Sequence, residues 1–392
     1  MMRKKFLSFS PPMIGDEEIA AVVESLRSGW ITTGPRVEQF EADFRRYTGA
    51  EASLALNSCT AALHVGLKAL GIGPGDRVVS SPMTFVSTIN VIEQVGAQPL
   101  LVDVEPDTLN IDAARVERAV AADRTIKAIL PVHLHGHPCE MDPIVEIARR
   151  HGLSVIEDAA HSLPARYRGH LVGAPWEGVT SLAAFSFYAT KNLTTGEGGM
   201  LVGPPEVIEK ARVWALHGMS RDAFGRYGAG GSWFYEVTAP GFKYNMPDLQ
   251  AAIGIEQLRR LDQMQQRRRA IVEQYDEAFA GIKEIERPVE RPHVQSAWHI
   301  YALRLRLESL TIDRARFIEE LRQLNIGASV HFIPVHLHAY HRKRYGYQPE
   351  DFPVALREYE RMVSIPLSPK LEEADVADVI EAVKDVVTKH RR

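Results

Sequence analysis

The stretch of sequence that decides the fold is SFYATKNLTTGEGG, at residues 186–199, where an apolar run changes abruptly to polar and glycine-rich residues. This pattern predicts a strand that delivers one lysine, Lys191, into a loop of small residues. A lysine that must lose its proton and attack an aldehyde needs such a setting, because a partly dry pocket disfavours the ammonium form. Lys191 is therefore a candidate nucleophile, although a lysine beside glycines is more often an ordinary loop residue.

Size, charge and composition limit the class of protein to which the chain can belong. The chain has 392 residues, enough for two or three domains, and its formal net charge of -4 gives no overall basic field for nucleic acid. The sequence offers no apolar run of the length that a membrane span or a signal peptide needs. The two cysteines, Cys59 and Cys139, make no disulfide framework. We therefore expect a cytoplasmic protein with no nucleic-acid partner and no membrane partner.

Short apolar runs alternate with amphipathic segments between about residues 50 and 203, which predicts an α/β fold. Such alternation implies a mostly parallel central sheet covered by helices on both faces. The predicted strands are Ser53–Leu56, Arg77–Ser81, Gln98–Val104, Ile126–Leu134, Ser154–Asp158, Leu182–Tyr188 and Met200–Val202. Ligands bind beyond the carboxyl ends of strands in these sheets. Because Asp158 and Lys191 both come at or just after strand ends, we expect them to share one crevice.

The chain after Pro247 is predicted to leave the first domain along a helix that runs from about residue 247 to about residue 279. Gly281–Pro292 indicates a linker. The elements expected beyond it are a strand at His299–Leu307, a helix at Arg314–Leu324, a strand at Ala328–Ile333 and a helix at Glu372–Lys389. The prediction is a large domain with an N-terminal arm at residues 1–255 and a smaller α/β C-terminal domain at residues 256–392.

The residues around Lys191 suit an enzyme that uses pyridoxal phosphate. Such an enzyme needs a lysine for the aldehyde, an acid beside the pyridine nitrogen, a phosphate site and a flat side chain against the ring. Asp158 is the acid candidate, because a carboxylate that ends an apolar strand is costly unless it pairs with a cation or with hydrogen-bond donors. A helix cap or a partner for a nearby arginine would explain the same aspartate.

The phosphate candidate is Ser58-Cys59-Thr60, directly before an apolar helix. Free N–H groups and the helix dipole favour an anion there, although simple capping by Ser58 or Thr60 explains the run equally well. Ser186 could add a hydroxyl from a strand end. Phe85 could stack on the ring, or it could simply belong to the core.

Taken together, these segments resemble the DegT/DnrJ/EryC1/StrS family of sugar aminotransferases, which have the fold-type I aspartate aminotransferase architecture. The matching segments span most of the chain and are Gly29–Pro35, Asn57–Leu63, Glu157–His161, Ser186–Gly199 and Gly241–Met246 running into Leu249–Ala252. The lysine segment is the most specific of them. The resemblance implies a pyridoxal phosphate-dependent transaminase that acts as a homodimer with a shared active site.

The resemblance also implies a role for each matching position. Lys191 would hold the cofactor and move protons, Asp158 would pair with the pyridine nitrogen, and His161 would lie near the ring. Phe85 would stack on the ring, and Cys59, Thr60 and Ser186 would bind the phosphate. Asn245 would reach the phosphate from the second subunit. Thr32, Tyr188 and His331 would line the sugar side of the pocket, and no metal is implied.

The substrate expectation depends on departures from the common family pattern. Tyr188 and His161 stand where many relatives have His and Gln, and Asn245 stands where many have Arg. The Lys243-Tyr244-Asn245 version resembles the branch that moves the amino group of L-glutamate onto C4 of UDP-linked 4-keto-deoxy sugars for polysaccharide, lipopolysaccharide or glycoside biosynthesis. The alternative is amination of C3 on a dTDP- or GDP-linked keto sugar. Lys191 argues against the related sugar 3-dehydrases, in which a His replaces the lysine.

Two rival functions come from other residues. His133, His135 and His137 have the period-2 spacing that would place them on one strand face, and later histidines cluster at residues 331–341, so a metal hydrolase is conceivable. No carboxylate base for zinc catalysis is evident. A regulator without enzymatic activity is the second rival. Its basic runs, Arg267–Arg269 and Arg342–Arg344, are interpreted as solvated helix faces, which could also meet a nucleotide diphosphate.

Overall fold

A computed structural model describes residues 3–219 and 234–392 of the chain. The strands, in chain order, are β1 (Ala52–Leu56), β2 (Arg77–Ser80), β3 (Gln98–Leu101), β4 (Ile126–Ile129), β5 (Ser154–Asp158), β6 (Arg166–Tyr167), β7 (His170–Leu171), β8 (Ser181–Ser186), β9 (Gly199–Gly203), β10 (Ile285–Glu286), β11 (Val294–Gln295), β12 (Tyr301–Leu305) and β13 (Met362–Ile365). The α-helices are α1 (Asp16–Ser28), α2 (Pro35–Thr48), α3 (Cys59–Ala69), α4 (Ser87–Gln94), α5 (Ala113–Ala122), α6 (Met141–His151), α7 (Pro205–Ala215), α8 (Asp248–Phe279), α9 (Arg314–Gln323), α10 (Ala339–Tyr345), α11 (Pro353–Arg361) and α12 (Glu373–His390).

A seven-stranded sheet forms the centre of the larger part of the chain. Its strands lie in the order β1-β9-β8-β5-β4-β2-β3. β9 runs antiparallel to both of its neighbours, β1 and β8. The pairs β5–β8, β4–β5, β2–β4 and β2–β3 are parallel. The prediction of a mostly parallel α/β sheet is therefore confirmed.

Helices cover both faces of this sheet, and alternate side chains of β8 pack against the helices on opposite faces. Side chains alternate across a strand, so Leu182 and Ala184 join the buried cluster that contains α3 and α4. Ala183 and Phe185 join the cluster on the opposite face, which contains α2 and the first part of α8. Phe185 packs on Phe44 of α2 with ring centroids 5.0 Å apart. With both faces covered, the open edge for a ligand is the one where the parallel strands end.

A second core lies around the smaller sheet, which has the order β10-β12-β13. It includes residues of α9, α12 and the second half of α8. The long helix α8 serves both cores, because Met264 belongs to the core of the large sheet and Ile271 belongs to the second core. The division into residues 1–255 and 256–392 stays a prediction, and the change of core lies within this helix.

Several predicted strands are too long at their carboxyl ends. The observed strands end at Leu101, Ile129 and Ser186 rather than at Val104, Leu134 and Tyr188. The apolar character continues past the ladder because the following residues still lie against other elements. Val132, Leu134 and Phe187, for example, are buried beyond the ends of their strands. Apolar sequence therefore marks burial more accurately than it marks the end of backbone pairing.

The predicted strand Ala328–Ile333 is wrong. Among the described residues its only strand-like pairing is one bridge, between Ser329 and Ser364 of β13. Their N–H groups donate to each other's carbonyl oxygens at 3.0 and 2.8 Å. The following residues leave β13 for the cavity, and Pro334 then offers no N–H for a ladder.

The linker at Gly281–Pro292 stays a prediction, whereas the interpretation of one basic run as a solvated helix face is wrong in part. Gly281–Pro292 is tied down rather than free, because it contains β10 and because Arg291 pairs with Glu105 and Glu140 at 2.8 and 2.6 Å. In the basic run of α8, Arg268 is buried and donates to the carbonyl oxygen of Leu367 at 3.1 Å. It is therefore no part of a solvated face.

Candidate active site

A cavity of about 510 Å³ opens beyond the carboxyl ends of the parallel strands. The structure brings most of the predicted site residues to its wall. Those that line it are Cys59, Thr60, Phe85, Asp158, His161, Ser186, Tyr188, Lys191 and His331. Strand ends, the start of α3 and the loop before α4 supply these side chains, and the segment after α9 adds His331.

Asp158 is the last residue of β5 and is buried. Its Oδ2 accepts a hydrogen bond from the Thr88 hydroxyl at 2.7 Å, and its Oδ1 accepts one from the backbone N–H of Ala160 at 3.2 Å. Burial raises the pKa of the carboxyl group, whereas these donors and the positive charge of Lys191 act against that rise. A carboxylate held in this way is suited to a positively charged partner in the cavity.

Lys191 lies in the tight loop between β8 and β9. Its backbone N–H donates to the Tyr188 carbonyl oxygen at 2.9 Å. The next residue, Asn192, anchors the loop, because its buried amide donates to the carbonyl oxygens of Leu163 and Ala297 at 3.0 and 2.7 Å. Desolvation lowers the pKa of the Lys191 ammonium to about 8, although the negative charge of Asp158 acts against the shift. A usable fraction of neutral amine therefore exists near neutral pH.

The start of α3 has the N–H groups and the clearance that an anion site would need. Ser58 caps the helix by accepting the N–H of Ala61 on its hydroxyl at 3.1 Å, and the N–H groups of the first turn, those of Cys59 and Thr60, have no carbonyl partner within the helix. Gly199 makes room here, because a Cβ on it would overlap the backbone of Ser58 and Cys59. Anions bind well at such helix ends.

The Cys59 side chain does not face this anion site. Its Sγ lies 3.4 Å from the Ala184 carbonyl oxygen of β8, as a donor to it. Burial, with the charge of Asp158, raises the pKa of the Cys59 thiol well above its usual range. Any contribution of Cys59 to phosphate binding would therefore come from its backbone N–H.

Aromatic rings and imidazoles line the wall near Lys191. Phe85 is 56% exposed and its ring centroid lies 5.6 Å from that of Phe332. His161 packs against His299 and Phe332, with centroids 4.5 and 5.6 Å away. Burial and the positive charge of Lys191 hold the pKa of His161 well below its usual range, so the ring is neutral. Its Nδ1 accepts the backbone N–H of His135 at 3.3 Å, which leaves the proton on Nε2.

His331 and Tyr188 also line the cavity. The His331 ring stacks on Phe9 of the N-terminal arm at 4.8 Å, and its Nδ1 lies 2.9 Å from the Ser364 hydroxyl. Burial lowers the pKa of His331 to about 3. Tyr188 is half exposed. Their roles toward a substrate stay predictions.

Asn245 and Thr32 are not on this wall. Asn245 forms a bridge with Leu56, the last residue of β1, and its amide donates to the Thr33 hydroxyl at 2.7 Å. The neighbouring Thr32 carbonyl oxygen accepts the N–H of Asp248 at 3.0 Å. The prediction that Asn245 acts in the site of a second subunit is compatible with this position and stays a prediction.

The sequence predictions missed several residues of the wall. The cavity is also lined by Phe9, Glu197, His299 and Phe332. Thr88 does not line the cavity, but its hydroxyl donates to the carboxylate of Asp158. Phe9 and Phe332 come from distant parts of the chain, and no local pattern marks them. Thr84 and Thr88 are four residues apart, a spacing that brings two side chains together on a helix, and this spacing was the signal that could have pointed to Thr88.

The histidine triplet behind the metal-hydrolase alternative does not share a strand face. Residues 134–136 form a short 3-10 turn, and His135 has a φ of 58°. The three side chains therefore bond to different partners: His133 to Glu157, His135 to the His331 carbonyl oxygen and His137 to the Pro138 carbonyl oxygen. Within residues 3–219 and 234–392, no group of three or more His, Cys, Asp or Glu side chains could hold a metal ion. In the same ranges, no helix combines the length and the apolar character that crossing a membrane requires.

The cavity fits pyridoxal phosphate in its donor set. A lysine with a lowered pKa and a buried carboxylate share the wall, as an aldehyde and a protonated pyridine nitrogen require. The glycine-cleared start of α3 offers N–H groups to a phosphate. The fold and the cavity together define an α/β enzyme that is built for this cofactor.

The chain belongs to the DegT/DnrJ/EryC1/StrS aminotransferase family, whose sequence model matches residues 12–384. It is 50% identical over 387 residues to the spore coat polysaccharide biosynthesis protein SpsC of Bacillus subtilis, covering 98% of each chain. An uncharacterized protein of Methanocaldococcus jannaschii is 48% identical over the full length of both chains.

Solved structures agree with this assignment. A protein of Streptococcus pneumoniae that is named as a sugar aminotransferase, solved in PLP and PMP forms, matches with a TM-score of 0.90 and 34% identity. The match covers 98% of this chain and 99% of that one. The fold-type I architecture, the cofactor and the activity of a sugar aminotransferase, all predicted from the sequence, are therefore confirmed.

Proposed function

We propose that the enzyme moves the amino group of L-glutamate onto C4 of a UDP-linked 4-keto-deoxy sugar, giving a nucleotide amino sugar and 2-oxoglutarate. The observation that carries the transaminase chemistry is the pairing of Lys191 and Asp158 in one cavity, with the Lys191 pKa lowered to about 8. The choice of C4 rests on Lys243-Tyr244-Asn245. The relationship to SpsC, whose name refers to polysaccharide biosynthesis, supports a product that enters a polysaccharide.

The residues would divide the work as follows. Pyridoxal phosphate, when bound, supplies an aldehyde and a ring that stabilises negative charge. Lys191 would hold it covalently, and Asp158 would keep its pyridine nitrogen protonated through an ionised carboxylate. The N–H groups at the start of α3, with the Thr60 and Ser186 hydroxyls, would bind its phosphate. Phe85 would lie against the ring, and His161 would lie near the ring with its Nε2–H as a hydrogen-bond donor.

Lys191 would also move the protons. Once its amine is released, Nζ would take the proton from the α-carbon of L-glutamate, and in the second half of the cycle it would deliver a proton to C4 of the keto sugar. An amine with a pKa of about 8 suits both directions, because about one-tenth of it is neutral at pH 7 and about one-half at pH 8, so both protonation states are populated. The surrounding imidazoles of His161 and His331 stay neutral, because burial lowers their pKa values, and they add no competing charge.

We also propose a homodimer that completes the site. Asn245 and Thr32 do not line the cavity of their own chain, and helix α1 exposes a stripe of large apolar side chains. These side chains are Ile19, Val23 and Leu26, and Trp30 and Ile31 extend the stripe beyond the helix. Exposed apolar surface of this kind marks an interface. A second copy seated there would bring its Asn245 to the phosphate and its Thr32 to the sugar.

A substrate panel tests the proposed reaction. The holoenzyme is incubated with L-glutamate and UDP-, dTDP- and GDP-linked 3-keto and 4-keto sugars, and the products are identified by mass and NMR. We expect the highest kcat/KM for a UDP-4-keto-deoxy sugar and an amino group at C4. Preference for a dTDP- or GDP-linked sugar with amination at C3 would support the alternative instead. The Lys191→Ala variant, which should lose turnover, is the control for chemistry at this site.

A further inference from the structure

The proposed role of Asp158 requires an ionised carboxylate, but its buried position disfavours a charge. Its side chain is buried, and burial raises the pKa of the carboxyl group. The hydrogen bond from the Thr88 hydroxyl, at 2.7 Å, is the largest of the effects that act against this rise. Thr88 itself is fully buried in the first turn of α4. Its hydroxyl is therefore committed to this one acid and is shielded from water.

A second hydroxyl fixes the direction of that hydrogen bond. The Thr84 and Thr88 hydroxyl oxygens lie 2.7 Å apart, and both side chains are buried. Each hydroxyl has a single proton. When Thr88 donates to Asp158, Thr84 must donate to Thr88, and both protons are satisfied.

The opposite direction leaves a proton without an acceptor. If Asp158 were protonated on Oδ2 and donated to Thr88, Thr88 would donate to Thr84. Among the described residues, the Thr84 hydroxyl has no other acceptor. A buried polar hydrogen without a partner is costly. The pair Thr84 and Thr88, which we name the hydroxyl relay, therefore favours the ionised form of Asp158.

We propose that Thr88, with Thr84 behind it, is a positioning residue that holds Asp158 ionised and directed into the cavity. The inference rests on the proposed pairing of Asp158 with the pyridine nitrogen. A merely structural reading is that the hydroxyl ties α4 to β5. The two readings differ because only the relay predicts a change in the affinity for pyridoxal phosphate and in its dependence on pH.

The test uses apoenzyme titrated with pyridoxal phosphate between pH 5 and pH 9. Thr88→Val keeps the branched shape and removes the hydroxyl, whereas Thr88→Ser restores it. Thr48→Val is the matched control, because the buried Thr48 hydroxyl donates to the Phe44 carbonyl oxygen at 2.9 Å in α2, away from the cavity. Asp158→Asn reports whether the acid itself matters. The readouts are the Kd of the cofactor, its pH profile and the Tm of the apoenzyme.

For Thr88→Val we expect a Kd about tenfold higher, since one hydrogen bond to a charged group is lost. The acid limb of the Kd profile should move to higher pH by about one unit, because a carboxyl group with a higher pKa becomes protonated sooner as the pH falls. Thr88→Ser should restore most of both effects. Thr84→Val should raise the Kd less, about twofold to threefold, since Thr88 can still donate. Thr48→Val should change Tm alone.

Two results would overturn the relay. One is a Thr88→Val enzyme with the Kd and pH profile of the wild type while Asp158→Asn changes both. The other is a Thr88→Ser enzyme as impaired as Thr88→Val, since the hydroxyl would then be irrelevant. If Thr88→Val does not fold, an unchanged Kd in Thr84→Val contradicts the relay instead. An unchanged Asp158→Asn enzyme would refute the proposed role of Asp158, which is a different failure.

Discussion

Lys191 is partly buried, and desolvation lowers its pKa to about 8, which predicts how the apoenzyme captures its cofactor. The neutral amine is the nucleophile. Its fraction should be about one-tenth at pH 7 and about one-half at pH 8, so the rate constant of capture should rise about fivefold between these values and level off above pH 9. An ordinary lysine would keep rising beyond pH 10.

The measurement is stopped-flow absorbance after apoenzyme is mixed with pyridoxal phosphate at each pH. The same reaction with a free lysine derivative corrects for the titration of the cofactor itself. Lys191→Arg should show no covalent capture at any pH, because its guanidinium stays protonated. A wild-type profile without a break near pH 8 would contradict the lowered pKa.

Single residues were predictable where their chemistry needs a rare local setting. Two local features are recognisable in the sequence: the polar, glycine-rich segment around Lys191 and the carboxylate of Asp158 at the end of β5. The side chains of Lys191 and Asp158 both line the cavity. Cys59 shows the limit, because its Sγ lies against the Ala184 carbonyl oxygen rather than toward the anion site. His299 was missed since its contacts depend on the packing of separate elements, which no local pattern encodes, whereas the four-residue spacing of Thr84 and Thr88 was a local signal for Thr88 that was not used.

At the scale of elements, the contact between β9 and the start of α3 shapes the anion site. A Cβ on Gly199 would overlap the backbone of Ser58 and Cys59, and backbone atoms cannot move aside as a flexible side chain would. We expect Gly199→Ala to lower the free energy of unfolding by on the order of 2–4 kcal/mol and to weaken pyridoxal phosphate binding.

Urea unfolding and cofactor titration measure the two effects. Gly281→Ala is the matched control, since a Cβ there meets nothing within 4 Å and the backbone is not left-handed. It should change the free energy of unfolding by less than about 0.5 kcal/mol and leave the Kd unchanged. A Gly199→Ala enzyme with wild-type stability and affinity would show that α3 is free to shift, against the tight contact described here.

Elements were predicted well where periodicity and burial agree. The strands of the large sheet lie under helices on both faces, so their apolar runs stand out from the amphipathic segments between them. Ala328–Ile333 was predicted as a strand on the same evidence, but only Ser329 pairs with β13 and the rest turns toward the cavity. A partly buried apolar run at a ligand site and a buried strand have a similar sequence character, so composition alone could not separate them.

At the scale of the whole molecule, the exposed apolar stripe on α1 is the candidate interface between two copies of the chain. Ile19, Val23 and Leu26 form an exposed stripe on α1, on the side away from the residues that pack on α8. If this stripe joins two copies, changing Val23 to Asp buries a charge in the interface and should yield monomers with little activity. Sedimentation or size-exclusion chromatography with light scattering measures the mass, and a dimeric, active Val23→Asp enzyme would place the interface elsewhere.

Mixing two inactive variants tests directly whether the site is shared. A mixed dimer pairs one Lys191→Ala chain with one Asn245→Ala chain. If each site takes Lys191 from one chain and Asn245 from the other, one of the two sites has both native residues and the other has both substitutions. Random exchange makes half of the dimers mixed, so an equimolar mixture refolded together should recover about one-quarter of the wild-type activity. If both residues served the cavity of their own chain, no intact site could form and the mixture would stay as inactive as its components. Refolding each variant alone is the control, and the yield of mixed dimers is measured with a tag on one chain, so a low recovery is not mistaken for failed exchange.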